Sequence, residues 1–295
     1  MRIFVTGATG FIGTAIVREL ISRGHQVLGL TRSDAGAQSL TAVGAEVHRG
    51  DIEDLDSLRR GADLADGVIH TAFNHDFSKF AANCEADRQA IEAMGSTLHG
   101  SDRPFIMTSG VMLGASAFGK LATEDNFNPD HPNPRKGSEL SSAALAQRGV
   151  NISVVRLPQV HNPVKQGLIS YLIELARDKG VSAYVDDGLN CWSAVHLSDA
   201  AHLYILALEK RVAGSRYHAV AEEGIPLRTI AEVIGRGLNI PVKSIAAADA
   251  PAHFGWLSAF VGHDMSASSA LTQERLGWQP KGPGLIADLE QVHYV

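Results

Sequence analysis

The chain has 295 residues, 45% hydrophobic and 20% charged, which is enough apolar material for one large α/β domain, or a domain with a smaller partner, without disulfides or metals. Its formal net charge is −6 and it contains no long basic run, which argues against a nucleic-acid groove or an anionic membrane face. Cys84 and Cys191 lie far apart without CxxC spacing, so neither a disulfide frame nor a zinc site is expected, and the composition suits a reduced, cytoplasmic protein.

An apolar run begins almost at Met1, with Ile3, Phe4 and Val5, so no leader is expected, and no apolar stretch is long enough to cross a bilayer. Strands are predicted over Arg2–Thr6, Gln26–Thr31, Glu46–Arg49, Gly67–Thr71, Pro104–Thr108 and Asn151–Leu157. Between the first two, Ile12, Ile16, Val17, Leu20 and Ile21 fall on one helical face. Short β-branched strands alternating with helices imply a doubly wound parallel sheet, an α/β Rossmann domain. A Pro-rich loop, residues 126–134, precedes a helix predicted to begin near Arg135. A strand pair and helix follow between Val181 and Leu208, and further helices are predicted at Leu227–Gly237 and Leu285–Val292. The expected division is a Rossmann domain from residues 1–158 and 192–214, and a smaller, discontinuous α/β substrate domain from residues 159–191 and 215–295.

The strongest motif is the turn after the first strand, with Gly7, Gly10 and Gly13 at three-residue spacing around Thr9, Phe11 and Ile12. The first glycine permits the tight turn, the second lets backbone approach a pyrophosphate, and the third lets the helix pack on the sheet. Helix-terminal N–H groups then face the phosphates. The second strand ends in Thr31, Arg32 and Ser33 rather than in the acidic residue that would hold the ribose hydroxyls of NAD. A guanidinium there suits a 2′-phosphate, so NADP(H) is favoured over NAD(H).

These features resemble the short-chain dehydrogenase/reductase superfamily, in its extended and atypical, epimerase/dehydratase-like branches, over nearly the whole chain. Gly50, Asp51 and Ile52 look like the adenine-contacting segment, and Thr71, Ala72 and Phe73 like the segment beside the adenosine ribose. The fifth strand end, through Thr108, Ser109 and Gly114, resembles the one carrying the catalytic hydroxyl, which falls on Ser109. Arg156 and Pro158 resemble the run before the nicotinamide loop, while Asp199 and Trp278 fall in segments similar to C-terminal landmarks of the extended branch. The family's chemistry needs a tyrosine and a lysine one helical turn apart, and no tyrosine of this chain stands there. Matching Glu139 to the acidic residue later in that helix puts His131 at the tyrosine position and Arg135 at the lysine position. Asn83 falls on the family's asparagine. His131 is therefore the candidate proton donor, and Arg135 the candidate ribose ligand.

Asn74, His75, His161, Asn162 and Trp192 are candidate substrate contacts, and no metal site is expected. The function expected is an NADP(H)-dependent oxidoreductase acting on a small carbonyl or alcohol with a non-standard proton donor. The alternatives are a non-catalytic NADP(H)-binding sensor or scaffold, suggested by the absent tyrosine, and a sugar-nucleotide epimerase or dehydratase. Partners expected are a small-molecule substrate and a second copy in a homodimer, with neither nucleic acid nor membrane.

Overall fold

The structure is a computed structural model describing residues 1–117 and 119–294. Twelve strands are described: β1 Arg2–Thr6, β2 Gln26–Thr31, β3 Glu46–Arg49, β4 Gly67–His70, β5 Phe105–Gly110, β6 Ile152–Leu157, β7 Gln159–His161, β8 Ser182–Val185, β9 Cys191–His196, β10 Arg216–His218, β11 Glu222–Pro226 and β12 Val242–Ile245. Seven of them form one sheet in the order β10-β6-β5-β4-β1-β2-β3. Every pairing in it is parallel. The sheet is wound outwards in both directions from β1, which leaves a crevice at the strand C-termini where the winding reverses.

Side-chain alternation divides the sheet's two faces. On β1, Ile3 and Val5 pack with Ile16, Leu20 and Tyr204 under α1 (Phe11–Ser22) and a later helix, Leu197–Lys210. Phe4, between them in sequence, faces the opposite layer with Leu58, Ile91 and Met107. That layer includes α3 (Leu55–Asp63), α4 (Phe80–Leu98) and α5 (Lys136–Gln147), whereas α2 (Asp34–Ala42) lies on the α1 face with its Leu40 in the first core. The period-two burial of a strand covered on both faces therefore follows directly from the apolar run at the N-terminus.

A second core lies beyond the strand ends. It joins Ile169 and Leu172 of α6 (Leu168–Lys179) to Trp192, Ile230, Phe254 and Leu289, above a three-stranded sheet, β11-β9-β7, and a two-stranded one, β12-β8. Two segments lie elsewhere than the sequence suggests. Cys191–His196 runs in the small three-stranded sheet, whereas Arg216–His218 is the edge strand of the large one, so a boundary at Gly214 cuts the main sheet. The strands β8 and β9 also do not pair with each other: β8 takes β12, and β9 takes β7 and β11. Only the helix Leu197–Lys210 of this stretch returns to the main domain, lying against α1. Asp199 fastens the C-terminal landmark there, its carboxylate accepting from the N–H groups of Lys281 and Gly282 while its carbonyl accepts from the Trp278 indole. No helix among the described residues is long and apolar enough to cross a membrane.

The edge of the main sheet is held by a buried ion pair. Arg156 on β6 and Glu139 on α5, both without solvent exposure, meet through two hydrogen bonds of 2.8 and 2.7 Å. Burial pushes the Glu139 carboxyl up, but the hydrogen bonds and charge of Arg156 outweigh it and hold the group below the carboxylate range. Arg156 also donates to Nε2 of buried His218, whose Nδ1 donates to the Ser268 carbonyl, so the imidazole is neutral with both nitrogens engaged. Burial, with the Arg156 charge, lowers its pKa from 6.5 to about 3. The unfolded chain takes up a proton at His218 near 6.5 and the folded one does not, so this stability is complete above that pH and is lost as the pH falls towards 3. Urea midpoints measured between about pH 7.5 and about pH 4 should therefore decline less steeply for His218→Gln than for the parent chain; parallel declines would remove His218 from the acid response.

Candidate active site

The glycine turn forms an open cradle at the end of β1. Gly7 has a φ of +68° and lies so close to the β4 end that an added Cβ would stand 2.7 Å from the Ala72 nitrogen. A Cβ on Gly13 would stand 2.0 Å from the Gly7 carbonyl oxygen, which explains why α1 can begin directly over the turn. Gly10 is the N-cap of α1 and supplies no side-chain acceptor; the first turn has no acidic residue. The helix therefore presents unmatched N–H groups and the positive end of its dipole at an exposed rim. A dinucleotide's diphosphate fits this place, and the side chains of Thr9 and Phe11 flank it. Thr71 fixes the opposite wall by donating from its hydroxyl to the Thr6 carbonyl at 2.9 Å.

Under the cradle lies a continuous polar chain that the sequence reading does not contain. Thr6 Oγ1 is 2.6 Å from His70 Nδ1, and His70 Nε2 is 3.2 Å from the carboxylate of Asp87 on α4. The same carboxylate accepts from Ser138 on α5 and pairs at 3.0 Å with Arg135. Arg135 in turn donates to the Thr108 carbonyl at 3.0 Å, and its guanidinium sits over the Phe73 ring at 4.1 Å. Asp87 has no exposure at all; burial raises its pKa, but Arg135 and His70 more than offset this and keep the carboxyl low. Arg135 is thus held in one pose between the ends of β4 and β5. Tyr204 is not a substitute acid: it lies behind the sheet, 2.6 Å from Thr108 Oγ1, and burial pushes its phenol upwards. Asn83 holds the loop after β4, its amide donating to the carbonyls of Asn74 and Asp76.

Between the main sheet and the second core opens a cleft of about 620 Å³. His131 is on its wall, with Met112, Asn133, Trp256 and Phe260. The helix expected near Arg135 begins at Lys136, with Arg135 as its N-cap, so His131 sits in the preceding loop rather than one helical turn away. The loop is fixed nonetheless. Nδ1 of His131 accepts from the Asn133 N–H at 3.1 Å, which assigns the proton of a neutral ring to Nε2. Burial, then the charge of Lys136, lowers its pKa below 6.5, so the ring is neutral at pH 7.

The other candidates separate into three groups. Ser109 is 3% exposed and is not among the described lining residues of the cleft; its hydroxyl lies beside buried Glu139 and helps to hold that carboxyl low. Asn74 and His75 are exposed at the β4 end, and His75 lies within electrostatic reach of Arg135 and Lys165. His161 and Trp192 are not exposed to any cleft: His161 is fully buried with Nδ1 2.7 Å from Asp288, and Trp192 is fully buried in the second core. Apolar covering of β7 and β9 by the C-terminal helix, which no local pattern announces, displaces both from the expected substrate contacts. Asn162 shapes a turn, its side-chain oxygen accepting from the N–H groups of Val164 and Lys165. That turn delivers a residue missed in sequence, Lys165, whose ammonium is 5.9 Å from the Phe11 ring at the cradle. Pro158, partly buried, begins the link that leads there.

At the adenosine end, the Arg32 side chain is 83% exposed and pairs with Asp51 at 3.1 Å, next to partly buried Ile52. Ser33 is committed to capping α2 through the Gly36 N–H. Arg49, at the end of β3, brings a second guanidinium to the same rim, pairing with Asp34 and reaching the Arg32 carbonyl. The register Thr31↔Arg49 puts the two strand ends side by side; only a prediction of strand pairing could have found it.

The model of the NAD dependent epimerase/dehydratase family matches residues 3–221. A relative in Schizosaccharomyces pombe, "Uncharacterized protein C2A9.02", is 50% identical over 295 residues, covering 100% of both chains. A 2-alkyl-3-oxoalkanoate reductase of Stenotrophomonas maltophilia is 29% identical over 258 residues, 82% of this chain and 77% of that one. Among solved structures, the dTDP-glucose 4,6-dehydratase DesIV of Streptomyces venezuelae, with NAD and TYD bound, superposes with a TM-score of 0.77 at 22% identity, covering 99% of this chain and 96% of that one; at such identity the likeness is one of fold.

The cradle yields a test that separates binding from folding. Gly10 has an extended backbone, φ −80° and ψ 175°, suited to an aspartate N-cap. An added Cβ would stand 3.1 Å from the Gly7 carbonyl oxygen, so Gly10→Asp should cost little thermal stability while the added carboxylate lowers dinucleotide affinity by about 100-fold or more in calorimetry. Unchanged affinity would show that the phosphates lie elsewhere.

Proposed function

Because this chain belongs to the NAD dependent epimerase/dehydratase family, whose members bind a nicotinamide cofactor, we propose that it is an NADP(H)-dependent oxidoreductase that interconverts a carbonyl and an alcohol. The observation that carries this reading is the combination of an anion cradle with a neutral, oriented imidazole on the adjoining cleft wall. When bound, the nicotinamide supplies a hydride to the carbonyl carbon, or takes one from the alcohol in the reverse direction. The chain's residues supply the remainder. Gly7, Gly10 and Gly13 with the start of α1 hold the diphosphate, and Lys165 adds a cation beside them. Arg135, fixed by Asp87 and the Thr108 carbonyl, serves as the nicotinamide ribose ligand. Its unvarying charge suits it to hold and not to transfer a proton.

His131 is assigned the contact with the substrate oxygen. Nε2–H donates a hydrogen bond to the carbonyl as negative charge develops there, and the proton taken up by the product oxygen comes from solvent water, which releases hydroxide to bulk while the imidazole stays neutral. A neutral imidazole is a weaker acid than a phenol paired with lysine, so slow turnover is the expected consequence. Ser109, buried at the end of β5 beside Glu139, takes a supporting part there. The preference for NADP(H) over NAD(H) rests on Arg32 and Arg49, whose present partners, Asp51 and Asp34, are carboxylates that a 2′-phosphate would replace.

Three outcomes test this reading. NADPH should be consumed when a panel of aldehydes and ketones is supplied; tight NADPH binding with no turnover on any of them would instead support the sensor. Arg32→Ala should weaken NADPH by about tenfold or more and NADH by less than about twofold, as a single charged hydrogen-bonding group does; equal losses would reject the phosphate contact. His131→Phe should lower kcat by about 100-fold with cofactor Kd unaltered. Full turnover in that variant would remove His131 from the mechanism.

A further inference from the structure

The cleft is walled by aromatic rings contributed from both halves of the molecule. Phe77, in the turn between β4 and α4, stacks on Trp256 at 4.2 Å with 8° between the ring planes. Tyr171 of α6 meets Trp256 edge-on at 5.2 Å, and Phe260 stands across Phe77 and Trp256 at 6.2 Å from each. Phe80 and Phe73 continue the row, at 5.7 and 6.1 Å between successive centroids, as far as the ring beneath Arg135. Of these rings Phe77, Phe80, Trp256 and Phe260 line the cleft, and Phe73 links their row to the residue assigned to the nicotinamide ribose.

Charge on that wall is sparse. Lys120 and Asp264 are the only residues of fixed charge among the described lining. Asp264 is already spent, its two oxygens accepting from the N–H groups of Cys191 and Ser266. No arginine lines the cleft among the described residues. Arg216 and Arg275, which border the loop over residues 122–134, are held by Glu139 and Asp125. A nucleotide diphosphate brings about two negative charges, and recognition of such groups calls for convergent guanidinium or backbone N–H donors. A carboxylate on the wall works against it.

Resting on the oxidoreductase reading above, we propose that this cleft takes an uncharged carbonyl compound with an aromatic or fused-ring body, which lies against the Phe77–Trp256 stack with its oxygen towards His131, and that it rejects nucleotide-diphosphate sugars. Planar rings gain from face and edge contacts with such a wall beyond simple burial of area. About 620 Å³ accommodates a bicyclic ring system with a side chain. The few polar groups, His131 and Asn133 among them, suffice to orient one oxygen.

The chain carries its own reporter. Trp192 and Trp278 are fully buried, whereas Trp256 is 40% exposed on the cleft, so a ligand there alters the emission of one tryptophan. The full chain is titrated with 2-naphthaldehyde, glyceraldehyde and UDP-glucose, alone and with saturating NADP⁺, and binding is followed by tryptophan emission and by calorimetry. The expected result is a Kd for 2-naphthaldehyde at least about tenfold below those of both other probes. Phe77→Ala should weaken 2-naphthaldehyde several-fold, and Phe77→Tyr should restore it. Should Phe77→Ala fold poorly, Ala259→Arg tests the same point by adding a cation to the wall, which should reverse the order of naphthaldehyde and UDP-glucose. Tighter binding of UDP-glucose to the parent chain, or equal binding of the two aldehydes, overturns the inference. Bound naphthaldehyde that never consumes NADPH keeps this ring-binding cleft and rejects the reductase. Consumption of NADPH with glyceraldehyde and no gain from the ring does the reverse.

Discussion

A single buried carboxylate, that of Asp87, binds together the parts of the molecule on which the site depends. Removing an ion from water costs several kcal/mol, roughly, unless partners in good geometry surround it. Asp87 meets that requirement with His70, Ser138 and Arg135, which stand on β4, at the start of α5 and in the loop before it. His70 extends the linkage to Thr6 on β1, and Arg135 extends it to the Thr108 carbonyl on β5. The three central strand ends are thus tied at the point where the winding of the sheet reverses. Displacing any one partner would leave charge or a hydrogen-bonding group unmatched in the interior.

The departure from the family's tyrosine and lysine becomes intelligible against this network. An arginine at position 135 has a planar, multidentate head that satisfies a carboxylate and a carbonyl together, which an ammonium on a flexible stem does less well. Having no helical residue at 131, the chain presents a loop imidazole to the cleft, held by the Asn133 N–H. The result is a site whose cation is rigid and whose proton-bearing group is neutral. That pairing favours orientation and charge stabilisation over strong acid catalysis.

The second core supplies the other half of the cleft, and its attachment is partly aromatic. Phe77 crosses from the main domain to stack on Trp256, so the aromatic lining of the cleft and the contact between the two halves are one structure. Any movement that opens the halves also alters the wall, and a flat ligand would strengthen their contact. The sequence shows aromatic residues at 254, 256 and 260 without showing that Phe77 meets them, because nearly 180 residues separate the partners.

Local chemistry settled much of this protein. The three glycines announce the cradle, and at Gly7 and Gly13 the close approach of backbone to backbone admits no other residue, since a Cβ there would collide. Strand boundaries from Arg2 to Arg49 are legible to the residue because apolar runs between turn signals need only nearest neighbours to define them. The ion pair of Glu139 with Arg156 joins residues only 17 apart and on adjacent elements. What remained for the tertiary structure concerns pairing across long distances. Arg216–His218 joins the main sheet, and Cys191–His196 leaves it, because of hydrogen bonds to strands far away in sequence. His161 and Trp192, polar or amphipathic enough to suit a cleft, are buried by a helix and a loop that come from the C-terminal tail. Asp87 reads as one more helical acid until His70, Ser138 and Arg135 converge on it. Periodicity reports which face of an element is covered, but which distant segment covers it is fixed only when the whole chain has packed.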